Sequence, residues 1–406
     1  MKNQKYAIFA LFVAILIDAL GWGVAFPVLA PVILHNSAHM FSSTVSLASK
    51  NMLYEIALSI YCIFMFLMSP VLGSLSDKYG RKSILIVSML GNCIGFFISA
   101  LSIPMHSYTV LLIGRSVAGA TAGSIPIAQA GIIDISSKEQ TASRLGLVVL
   151  GNVVGFAVGP VIGGFFMDQS IFGSWTNFQT PFFVSAAMGL FGALILFFYK
   201  ETFQGNKTIK IHALTSFQNI YNAFSKKITL QYCMLLLCFL FGWGIYFSTM
   251  PVLLTERLGW TGSSIGYFIA YLGTVFALMI LFVLPKITTK FQLKNIISFA
   301  LIMLFVATIL FASIYNSITP WFIIILTVAV PLIYVSTVTI LSSQVSEDKQ
   351  GEIMGVTGSI FALTWGVGPI IGAYFLRHGL YATYALAGCA FLLAFAISLL
   401  HKKKDI

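Results

Sequence analysis

The sequence predicts an all-α integral membrane protein, with twelve transmembrane helices in two pseudo-symmetric six-helix bundles. Three observations predict it. The first is composition: 58% of the 406 residues are hydrophobic, 9% are Asp, Glu, Lys or Arg, and the mean hydropathy is +0.95. A soluble domain is about 25% charged, so this chain cannot cover a water-facing surface. A soluble enzyme, a nucleic-acid binder and a disordered chain are disfavoured together. The second is length: apolar runs of the roughly 20 residues needed to cross a bilayer core recur twelve times. Helices are expected because lipid offers no partner for open backbone groups, and the runs lack the short alternation of barrel strands.

The third observation is the placement of charge. Net charge is +11, from 23 Lys+Arg against 12 Asp+Glu. With a cytoplasmic N-terminus, nineteen basic residues fall on the cytoplasmic side and three (Lys50, Arg257 and Arg377) outside, while Arg115 lies within a span. This asymmetry predicts a multi-pass protein of the cytoplasmic (inner) membrane with both termini cytoplasmic. It consumes the positive charge, so no nucleic-acid partner is needed.

Span one (7–33) follows Lys2 and Lys5. It is too long for a signal peptide, contains Asp18 and precedes no cleavage site, so it reads as a retained span. At about 1.5 Å rise per residue, Asp18 lies about 17 Å from the cytoplasmic end. Span two (51–72) holds Glu55, about 8 Å below the outer face by the same rise. Two readings of Glu55 stand, a second proton-coupling group or a side chain snorkelling to the interface.

The loop after span two reads GSLSDKYGRKSIL, Gly73 to Leu85. Gly73, Asp77, Gly80, Arg81 and Lys82 at this spacing resemble the cytoplasmic loop signature of the major facilitator superfamily. Physically this is a tight turn whose glycines allow close helix approach and whose charges bridge neighbouring helices. Span three (83–103) has no acidic residue. Span four (108–133) begins GRSVAGATAG, where Arg115, Gly119 and Gly123 resemble the family's arginine-containing motif, with Ala118 where many members have glutamine. Arg115 lies about 20 Å from the cytoplasmic side of a roughly 30 Å core, a depth matching Asp18. We expect the two to face one central cavity and influence each other, the alternative being a static structural pair.

Span five (145–167) carries Gly146, Gly155, Gly159, Pro160, Gly163 and Gly164. These positions resemble the antiporter signature of the drug:proton antiporter branch. Glycines four apart make one smooth helix face, and Pro160 permits a bend. In span one, Asp18, Gly21 and Pro27 are similar to the first-span pattern of tetracycline-type exporters. The resemblance implies the major facilitator fold and proton-coupled export of small molecules, with multidrug resistance as its outcome. It further implies that Asp134, closing span four, pairs with Arg81 while Asp77 approaches the start of span eleven near Gly351, a latch between the halves. Tetracycline exporters carry further acidic residues in spans three and nine; none stands here, which argues against a metal–tetracycline substrate.

Span six (180–199) completes an N-terminal bundle, 1–199. The stretch 200–228 carries five lysines, with Leu214, Phe217, Ile220, Tyr221 and Phe224 at helical spacing. It reads as a cytoplasmic linker, either flexible or an amphipathic helix on the membrane surface. The C-terminal bundle and short basic tail, 229–406, hold spans near 229–253, 264–285, 295–315, 321–343, 353–376 and 381–400. The segment from Ser137 to Gly164 is echoed by Ser346 to Ala373, and Gly21-Trp22-Gly23 by Gly242-Trp243-Gly244. Such matches indicate a duplicated six-helix unit, an arrangement transporters use around a central site.

No ionisable residue lies well inside a span of the second half. Trp22, Phe26, Trp243, Tyr246, Tyr267, Tyr271, Tyr334 and Trp365 are the candidates for a substrate cavity suited to lipophilic or cationic compounds. Tyr267 and Tyr271, one turn apart, could share its wall. For any single aromatic, a lipid-facing place is the bland alternative.

The expected partners are a small-molecule substrate, protons and lipid, acting on a monomer without cofactor. A metabolite or siderophore importer is the alternative within transport. A sensor or intramembrane enzyme is the alternative outside it, but no output domain or nucleophile–base constellation is visible. The five cysteines lie in apolar runs without metal-ligand spacing. The six histidines fall at loops or span ends, and His35 and His39, four apart, read as solvated.

Overall fold

The computed structural model describes residues 2–136, 138–175, 177–201, 203, 227–344 and 350–400. Among these it is helical with no strand. In the first half, α1 is Lys2–Ile33, α2 Leu47–Tyr79, α3 Arg81–Leu101, α4 Tyr108–Thr121, α5 Ser124–Asp134 and α6 Lys138–Phe165, followed by the short α7 Gln169–Phe172 and by α8 Thr180–Phe197. In the second, α9 is Lys227–Leu258, α10 Gly262–Leu278, α11 Leu284–Thr288, α12 Leu293–Ala312, α13 Thr319–Leu326, α14 Ala329–Ser343, α15 Gln350–Leu376 and α16 Leu380–Leu399. Eleven helical segments among the described residues are long and apolar enough to cross a membrane, and Leu150–Phe165 within α6 is a shorter apolar stretch. The predicted amphipathic helix at 200–228 falls almost wholly outside the described residues.

Three predicted spans are interrupted, each beside a proline. Span four divides into α4 and α5 at Ala122 and Gly123. Pro126 has no N–H for the Ala122 carbonyl four residues back, and its ring crowds that carbonyl. Span eight passes from α10 to α11 through a π-helical turn, Met279–Val283. There Pro285 cannot donate to Leu281, and the ladder widens instead of breaking. Span ten divides into α13 and α14 at Thr327 and Val328, where Pro331 has no N–H for the Thr327 carbonyl.

The chain forms two compact units. One gathers the described residues within Met1–Thr215 and Thr261–Gly273; the other gathers those within Ser216–Trp260 and Thr274–Ile406. The start of span eight thus falls with the first unit, whereas the sequence boundary at 229 places it in the second half. Small residues permit this packing. A Cβ on Gly266 would lie 3.0 Å from the Gly164 Cα, and one on Gly273 would lie 2.5 Å from the Ala157 Cα.

In the first unit the main seam joins α1 to α6, with α3 packed on α4 and α8. Its core includes Leu11, Ala14, Leu85, Met89, Ile127, Ile132 and Leu196. A Cβ on Gly155 would meet the Leu16 carbonyl, one on Gly159 the Leu20 carbonyl, and one on Gly163 the Val24 carbonyl. The partners advance together in steps of four, so α1 and α6 run parallel with their backbones in contact. In the second unit α9 packs on α15 and α16, and α12 on α14 and α16.

Candidate functional site

Asp18 stands midway along α1 and is 7% exposed. Asn92 Nδ2, from α3, donates to its Oδ1 at 3.1 Å. Ser124 Oγ donates to its Oδ2 at 2.5 Å. Ser124 is the first residue of α5, so the break in span four brings a helix N-terminus, where negative charge is favoured, to the carboxylate. Neither Asn92 nor Ser124 was singled out in the sequence. The Ser124–x–Pro126 pattern just after a glycine-rich stretch was the available signal for the break.

Arg115 on α4 is fully buried. Its Nε donates to the Ala57 carbonyl of α2 at 3.3 Å, and its guanidinium lies 4.7 Å from the centre of the Tyr61 ring. Nη1 and Nη2 have no hydrogen-bond partner among the described residues. No ion pair within 4.0 Å joins Arg115 to Asp18; among the described residues the side-chain salt bridges are Arg81–Asp77 and Arg81–Asp134. Tyr61, whose ring the Arg115 guanidinium covers, was also absent from the sequence candidates. Glu55 is fully buried on α2. The snorkelling reading is therefore corrected: its carboxylate is enclosed by the packed first unit.

The loop signature forms a second cluster. Gly80 has φ 101°, a conformation that favours glycine, and it turns the chain from α2 into α3. Arg81 donates through Nη1 to Asp77 Oδ1 and to Ser76 Oγ (2.8 Å), and through Nε to Asp134 Oδ2 (3.1 Å). One guanidinium thus ties α2, α3 and the C-terminal end of α5. Glu201 Oε2 accepts from the Lys82 backbone N–H at 2.8 Å, capping the start of α3. Gly73 contributes no close approach, since nothing among the described residues lies within 4 Å of where its Cβ would stand. The start of span eleven, expected to receive Asp77, borders residues 345–349, outside the described residues. Gly146 falls in a turn of α6 whose side-chain surroundings are likewise outside them.

The aromatic candidates separate. In the first unit Trp22 meets Phe26 and Phe156 at centroid distances of 5.3 and 5.0 Å. In the second, Trp243 stacks on Tyr246 at 5.4 Å, Tyr246 meets Phe311 and Tyr384, and Phe247 meets Trp365 at 5.7 Å. The Tyr246 hydroxyl is buried without a hydrogen-bond partner among the described residues. Tyr334 is half-buried on α14. Tyr267 and Tyr271 do not share one environment: Tyr267 is 40% exposed and Tyr271 half-buried, both on the part of α10 within the first unit.

A buried intramembrane carboxylate with dedicated donors, in a helical bundle that also buries an arginine, is the kind of group that marks substrate, ion or proton pathways in membrane proteins. The chain belongs to the Major Facilitator Superfamily, whose family model matches residues 11–366. It is a membrane transporter of that family. It is 29% identical over 375 residues to the class C tetracycline resistance protein of Escherichia coli, covering 91% of this chain and 89% of that one. It is 24% identical over 383 residues to the quinolone resistance protein NorA of Staphylococcus aureus, covering 91% and 90%. The crystal structure of a D-xylose–proton symporter shares its fold, with a TM-score of 0.76 at 13% identity over 97% of each chain.

Proposed function

We propose that this protein is a proton-coupled exporter of small lipophilic or cationic compounds that works by alternating access, with Asp18 carrying the exchanged proton. The observation that carries the reading is Asp18 itself, a carboxylate in the middle of an apolar helix, held by Asn92 and Ser124. An ionisable group at such depth is costly and is retained for function. Its relatives named for tetracycline and quinolone resistance support export.

In this reading Arg115 and Glu55 tune the proton site, and the Arg81 cluster with Asp77 and Asp134 is a gating latch. The glycine face of α6 lets α1, which bears Asp18, move as one body with its neighbour. The aromatic clusters around Trp22 and Trp243, with Tyr334, supply substrate contacts through ring faces and a few hydroxyls. The protein acts as a monomer in the inner membrane with cytoplasmic termini, its two halves being the six-span repeats.

The test is ethidium transport by the full chain in proteoliposomes under an imposed proton gradient. Wild type should move ethidium against the direction of proton flow, and Asp18→Asn should abolish gradient-driven movement. Movement in the same direction as protons would overturn export, and undiminished driven transport by Asp18→Asn would remove Asp18 from coupling.

A further inference from the structure

Two histidines that the sequence leaves 67 positions apart meet in the fold. His39 sits on the segment between α1 and α2, and His106 on the turn between α3 and α4. Both are exposed, and their ring centroids are 6.3 Å apart with planes at 62°. The backbone holds both in the left-handed region, φ 52° at His39 and 49° at His106, which few non-glycine residues adopt. Two flanking contacts fix these conformations. The His39 N–H donates to the Asn36 carbonyl at 2.8 Å, and Asn36 in turn exchanges two hydrogen bonds with the Phe41 backbone. The His106 N–H donates to the Ile103 carbonyl at 3.1 Å.

The second observation concerns the ring nitrogens. Nδ1 of His106 lies 2.6 Å from the Ala38 carbonyl, the residue next to His39. A carbonyl only accepts, so Nδ1 carries a hydrogen, and in the neutral imidazole Nε2 is the nitrogen with the free lone pair. A backbone carbonyl on one ring nitrogen is the arrangement that orients a histidine to ligate through the other.

From these we infer that His39 and His106 form a two-imidazole site for a borderline divalent transition-metal ion such as Zn2+, completed by water. Imidazole suits Zn2+, Cu2+ and Ni2+, and not the oxygen-seeking Mg2+. The spacing fits. With metal–nitrogen bonds of about 2.0–2.1 Å, a shared ion holds each ring centroid about 3.2 Å away, so two centroids stand about 5.2 Å apart at a tetrahedral angle and about 6.4 Å apart when opposed. The observed 6.3 Å lies within that interval. The bound ion would staple the α1–α2 segment to the α3–α4 turn. The site is independent of proton coupling, and its existence does not rest on the export reading.

The test is calorimetric titration of Zn2+ into the full chain, without a polyhistidine tag, in detergent. His39→Asn and His106→Asn are the variants, because Asn tolerates the left-handed backbone that Ala would strain. Wild type should show a saturable Zn2+ site that Mg2+ does not compete for. Each variant should weaken it by at least about tenfold, the loss seen when even an outer-shell partner of a ligand is removed. His35→Asn, on the same segment, should leave it unchanged, and all three should keep the wild-type unfolding midpoint. Cu2+ in the same site should show two nitrogen donors by electron paramagnetic resonance. Full Zn2+ affinity in a folded His39→Asn or His106→Asn protein, equal loss in His35→Asn, or no saturable site in wild type would each overturn the inference.

Discussion

Ser124 donates a hydrogen bond at 2.5 Å to Oδ2 of Asp18, joining the first residue of α5 to the middle of α1 through the carboxylate α1 carries. A hydrogen bond to a charged group contributes about 1.5–3 kcal/mol. Ser124→Ala should therefore slow proton-driven transport about tenfold or more in proteoliposomes, and Ser124→Thr, which keeps the hydroxyl, should retain most of it. Equal rates for the Ala and Thr variants would mean that the hydroxyl does not serve Asp18.

The seam between α1 and α6 makes a sharper demand on size. A Cβ at Gly159 would stand 2.5 Å from the Leu20 carbonyl and 2.9 Å from the Gly23 Cα, both backbone atoms that cannot swing aside. Gly159→Leu should lower the unfolding midpoint in detergent by an amount corresponding to about 1–3 kcal/mol, the usual cost of overpacking. Gly73→Ala, with open space around it, should leave the midpoint unchanged. Similar behaviour of the two variants would contradict the backbone contact.

Arg115 and Tyr61 test a different force. The guanidinium lies 4.7 Å from the ring centre in a buried setting, where a cation–π contact stabilises by about 2 kcal/mol. Tyr61→Phe keeps the ring and should keep the unfolding midpoint, while Tyr61→Leu should lower it. A midpoint for Tyr61→Phe as low as that for Tyr61→Leu would show that the hydroxyl, not the ring face, matters.

The Arg81 cluster predicts a kinetic effect. Asp77→Asn and Asp134→Asn each remove one anion from the same guanidinium. Both should reduce turnover more than substrate affinity, measured as transport rate against equilibrium ethidium binding. The double variant should cost less than the two single effects combined, because the charges share one partner. Normal transport by Asp77→Asn would contradict the latch.

Much of this was legible in the sequence because it is local or compositional. The glycines at 155, 159 and 163 declare a smooth face through their spacing alone, and the pairing of Arg81 with Asp134 was implied by the family resemblance. Asn92 and Ser124 were not legible. They lie 74 and 106 positions from Asp18, and a single polar residue in an apolar run has no periodicity to mark its partner. The matched depths of Asp18 and Arg115 did not make them an ion pair. Depth fixes position along a helix, whereas pairing also needs the same face.

By itself, then, the sequence determined the solvent, the number of apolar runs and the family, since apolar run length and motif spacing are properties of the chain. Only the tertiary structure decided where span four breaks, which donors hold Asp18, that Glu55 is enclosed, and that His39 meets His106. Those relations arise when helices far apart in sequence pack side by side. The packing is selected by the fit of many small contacts at once, and no single stretch of residues encodes it.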